Sequence, residues 1–127
     1  MAFVLRQAEP RRLELRSRGQ EFALLLEEIP ATTLFELAQR FQEGRSGGSA
    51  TIPADFARLV VDAVAKAAAG WDGLVDAAGG EPVFERGRLR ALLESDVGLI
   101  PQLISFVADL FLEARREEER LEGEEKN

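Results

Sequence analysis

The chain has 127 residues, 46% of them hydrophobic and 31% charged, the balance of one soluble globular domain long enough to bury a core. A formal charge of -7 excludes the basic field that drives non-specific nucleic-acid binding, so no nucleic-acid partner is expected. Histidine, cysteine and tyrosine are absent, which removes the usual general base near neutral pH, the thiolate nucleophile, the phenolic acid and any disulfide framework.

The opening MAFVLRQAEPRR lacks the apolar core and cleavage pattern of a signal peptide, and a cytoplasmic location is expected. Over residues 1-20 the arginines, Arg6, Arg11, Arg12, Arg16 and Arg18, outnumber Glu9 and Glu14, and the simplest reading is a solvated strand face. Leu13 and Leu15 alternate with charged residues, and after SRGQ the alternation resumes at Phe22, Leu24 and Leu26. This predicts a β-hairpin within about residues 1-29, with Gly19 in the turn and FVLR (residues 3-6) as a candidate third strand.

Pro30 ends the extended segment, and Thr33 with Glu36 has capping-box spacing for a helix over about 33-43, with Leu34, Leu37, Ala38 and Phe41 on one face. A mobile glycine and serine linker is expected from Gly44 to Ala50. Thr51 and Pro53 then open a helix over about 52-69, whose inward stripe is Phe56, Leu59, Val60, Ala63, Val64 and Ala67 and whose end is Gly70.

The segment GWDGLVDAAGGEPVF follows, holding the single tryptophan. Trp71 reads either as an anchor that folds back with Leu74, Val75 and Phe84 onto the helices, the favoured reading, or as an interface hot spot on an exposed loop. Asp72, Asp76 and Glu81 offer hard oxygen ligands, but their spacing departs from the EF-hand ladder, and no metal site or cofactor is expected. A helix over about 85-95 turns Leu89, Leu92 and Leu93 inward.

The last helix is expected over about 99-120. Its apolar run LIPQLISFVADLFLEA is interrupted by Pro101, Gln102 and Asp109 and is too short to span a bilayer, so no membrane partner is expected. Leu103, Ile104, Phe106, Val107, Leu110, Phe111 and Leu112 spread around most of its circumference, so it is either covered by its own domain or meets another chain. The expected fold is α+β, mainly α: an N-terminal β-hairpin followed by a bundle of about four helices in one domain, 1-114, with a charged tail, 115-127.

In order, Gly70, Trp71, Gly73, Leu74, Asp76, Gly79, Pro82 and Phe84, with Leu89, Leu92 and Leu93 behind them, resemble the C-terminal half of the tail assembly chaperones of long-tailed (siphovirus-type) bacteriophages. The N-terminal half is similar in arrangement. Two positions depart from that pattern: Glu85 stands where the family has serine or threonine, and the linker after Gly44 is glycine-rich.

The resemblance implies a protein that catalyses nothing and works in the host cytoplasm. It would coat the aggregation-prone tape measure protein, self-associate along it, recruit tail tube protein, and leave before the virion matures. The expected contact surface is the last helix, led by Leu103, Phe106, Leu110 and Phe111, with Trp71 and Phe84 fixing the crossover that positions it. Family members are often also made in a longer frameshifted form, and Glu125, Lys126 and Asn127 permit the slippery codons GAA AAA AAC. Two other readings remain: a structural tail or head-tail joining subunit retained in the particle, and a small metal-dependent enzyme using Asp72, Asp76 and Glu81.

Overall fold

A computed structural model describes residues 10–45 and 54–125. The fold is α+β and mainly α: β1 (Arg11–Ser17), β2 (Gln20–Leu26), α1 (Ala31–Arg45), α2 (Ala54–Ala67), β3 (Ala68–Asp72), α3 (Arg86–Ser95) and α4 (Leu99–Glu125). The expected strand at residues 3-6, most of the Gly44 to Ala50 linker, and the Thr51 and Pro53 helix start lie outside the described residues.

Alternation builds the hairpin as expected. β1 and β2 pair antiparallel with Leu13 opposite Leu24 and Leu15 opposite Phe22, and the turn is two residues long. Arg18 (φ 52°) and Gly19 (φ 79°) both take positive φ, the conformation of a type I′ turn whose twist matches the strands. Leu13, Leu15, Phe22, Leu24 and Leu26 face the helices and are buried, while Arg12, Glu14, Arg16 and Glu21 stand on the opposite face in solvent.

The sheet has three strands, in order β1-β2-β3, rather than the two of a hairpin. The helix expected to reach residue 69 stops at Ala67, and residues 68 to 72 pair with β2, Leu24 opposite Trp71 and Ala23 opposite Asp72. The reason is tertiary. The Ala67 carbonyl accepts the Glu27 N–H at 2.8 Å instead of continuing the helix, and β2 would otherwise present a second open edge. Ala68 is fully buried in this pairing, and its small side chain lets the strand lie close against the core.

Helix α1 begins at Ala31, earlier than the capping-box spacing of Thr33 suggests. The Pro30 carbonyl accepts the N–H groups of Thr33 (3.0 Å) and Leu34 (3.1 Å), so the first turn forms ahead of Thr33. Helix α2 contacts α1, α3 and α4, and its expected stripe is inward, with Val61 and Ala65 added to the buried set. The rings of Phe41 and Phe56 join α1 to α2 at 5.1 Å. An Asp62–Arg90 ion pair joins α2 to α3. One continuous apolar core runs from the inner sheet face through Val60 and Val64 to Leu89, Leu93, Leu99, Leu103 and Val107.

Candidate protein-binding surface

Helix α4 is placed by both ends of the hairpin. At the hairpin tip, the Ser17 hydroxyl donates to Asp96 Oδ2 at 2.5 Å, and Asp96 Oδ1 accepts the Gly98 N–H at 2.9 Å. These hydrogen bonds, Ser17 first and Gly98 second, hold the Asp96 carboxyl below its usual range, aided by the charge of Arg18 and against a desolvation effect that raises it. One turn into α4, Gln102 accepts the Arg16 N–H (2.9 Å) and donates to the Arg16 carbonyl (2.8 Å), so its amide occupies the place of a neighbouring strand. Near the other end of β1, Arg11 pairs with Glu113 at 2.8 Å. Gln102 and Glu113 are separated by roughly 16 Å of helix, the span of β1 between Arg16 and Arg11, so α4 runs alongside β1.

This placement sorts the expected contact residues by burial. Leu103 is 0% exposed and belongs to the core, so it is removed from the expected contact surface. The reason is that Leu99, Leu103 and Val107 lie on the centre line of α4, where the sheet, α1 and α2 converge. Phe106, Leu110 and Phe111 are half-buried, packed against the core on one side and open on the other. The apolar arc from Phe106 to Ile104 spans roughly 160° of helix, mostly covered by the molecule itself, and Leu112, 48% exposed, stands outside it.

The crossover after β3 holds the expected anchor. The Trp71 indole N–H donates to the Pro82 carbonyl at 2.9 Å, and its ring meets Phe84 edge-on at 5.1 Å. Trp71 is thus a strand residue whose ring pins the returning loop, rather than a loop residue. Leu74 packs against the core, whereas Val75 points to solvent at 66% exposure and takes no part in the anchor. Gly73, at φ 84°, turns the chain off the sheet where a Cβ would lie 3.3 Å from the Glu21 carbonyl oxygen. Glu85 precedes α3 without any side-chain capping bond.

The three acids of the loop are not brought together. Asp72 pairs with Arg12 at 3.0 Å, and Asp76 spends Oδ1 on the N–H groups of Ala78 (3.0 Å) and Gly80 (2.9 Å) in its own turn. No group of three potential ligand side chains exists among the described residues, so Asp72, Asp76 and Glu81 do not form a metal donor set. A shallow concavity of about 340 Å³ lies over the outer sheet face, lined by Arg12, Glu14, Arg16, Glu21 and Asp72. Its charges are matched in pairs, Arg12 with Asp72 and Arg16 with Glu21, which makes the basic strand a solvated ion-pair face.

One exposed aromatic was missed by the sequence reading. Phe35 on α1 is 66% exposed, and its helical neighbours Ala31, Thr32, Ala38, Gln39 and Gln42 carry no charge. The signal was present: Phe35 stands off the stripe of Leu34, Leu37, Ala38 and Phe41. Among the described residues no single helix is long and apolar enough to cross a membrane. No family model, no curated protein and no solved structure matches the chain.

Proposed function

We propose that this protein is a bacteriophage tail assembly chaperone, which works by contact with other proteins in the host cytoplasm and is absent from the mature virion. The observation that carries the reading is the residue order from Gly70 to Leu93, in which Trp71 of β3 and Phe84 at the far end of the loop meet as one anchor. It binds the tape measure protein, keeps it soluble, recruits tail tube protein and self-associates. The half-open rim of Phe106, Leu110 and Phe111 supports a contact role, because large apolar side chains flanked by charge are what a partner helix covers. Nothing in this role requires a nucleophile, a general base or a cofactor.

Co-expression with the product of a neighbouring long helical reading frame tests the proposal. Phe106→Asp is expected to abolish partner solubilisation and oligomers while circular dichroism still reports a folded helical protein. Leu103→Asp is the internal control, expected to unfold the domain because it places a charge in the core. Binding unchanged by Phe106→Asp in a folded protein would remove α4 as the contact surface. The second reading, a structural tail or head-tail subunit, predicts the chain in purified virions by mass spectrometry, where a chaperone is absent.

A further inference from the structure

We draw no further inference here: the strongest candidate, the uncharged outer face of α1 centred on the exposed Phe35, is an unpartnered apolar face, and nothing in the structure shows what covers it.

Discussion

Trp71 joins two kinds of contact that are usually separate. Its backbone extends the sheet opposite Leu24, and its ring holds the crossover through Pro82 and Phe84. Truncation removes the ring contact and leaves the Pro82 carbonyl without its donor, so Trp71→Ala is expected to cost about 2 to 4 kcal/mol, the range for a large aromatic that is only partly buried. Urea denaturation followed by far-ultraviolet dichroism measures this, and a loss below about 0.5 kcal/mol would show that the anchor carries no weight. Asp96 makes a prediction of a different kind. Its folded-state carboxyl lies below the ordinary value, so the unfolded chain binds the proton more readily. The stabilisation is therefore present above the unfolded carboxylate pKa of about 3.9 and lost as pH falls through the lower folded value. Asp96→Asn should be less stable than the parent at pH 7, and the gap between the two should narrow only in strongly acid solution. A gap independent of pH down to the acid transition would contradict the charge-assisted bond from Ser17.

At the scale of elements, β3 decides how the second half of the chain is hung on the first. Its five residues close the open side of β2 and direct the loop toward α3, and Gly73 makes the exit possible. A methyl group there meets backbone at 3.3 and 3.4 Å, from Glu21 and Phe22, and the positive φ is unfavourable for any L side chain. Gly73→Ala is accordingly expected to destabilise by about 1 to 3 kcal/mol, whereas Gly79→Ala, at similar φ but with nothing within 4 Å, bears only the smaller conformational cost. Thermal melts of the two variants side by side separate crowding from backbone strain. Equal melting temperatures would mean that the close approach to β2 relaxes freely.

For the whole molecule, the question is how far the domain extends along α4. Apolar burial among the described side chains of α4 reaches the half-covered Phe111, and beyond it Glu117 is partly covered. Leu112 to Arg116 are exposed, and the ion pair Arg115–Glu119 lies within the helix itself. Such i,i+4 pairs contribute only about 0.2 to 0.5 kcal/mol each, too little to support a core. A chain ending at Ala114, which retains the Arg11–Glu113 pair, should melt within a few degrees of the full-length protein. A fall of more than about 10 °C would assign the charged segment a packing role that the exposure of Arg115 and Arg116 does not suggest. The same truncation assayed for partner solubilisation tells whether the contact surface ends at the Phe106 to Phe111 rim.

Much of this architecture was legible in one dimension, because periodicity is a local property. The alternation in residues 12 to 26 and the helical stripes of α1, α2 and α3 each name their buried face, and the apolar company of Trp71, with Leu74 and Phe84 among it, points to an anchor. What local pattern does not carry is the partner. Ala68 to Asp72 form a strand only because β2 offers an edge, and the burial of Phe22, Ala23 and Leu24 in succession, which the alternation reading does not foresee, goes with β2 being the central strand. Leu103 and Phe106 look alike in the sequence, two apolar residues in the same run. The convergence of the sheet, α1 and α2 on the Leu99, Leu103 and Val107 line of α4, with the contacts of Gln102 to Arg16 and Arg11 to Glu113 alongside, sets the rotation that buries the first and leaves the second half open. Composition and period thus determined the elements and their inward faces, and packing across long sequence separations decided which apolar residues remain at the surface.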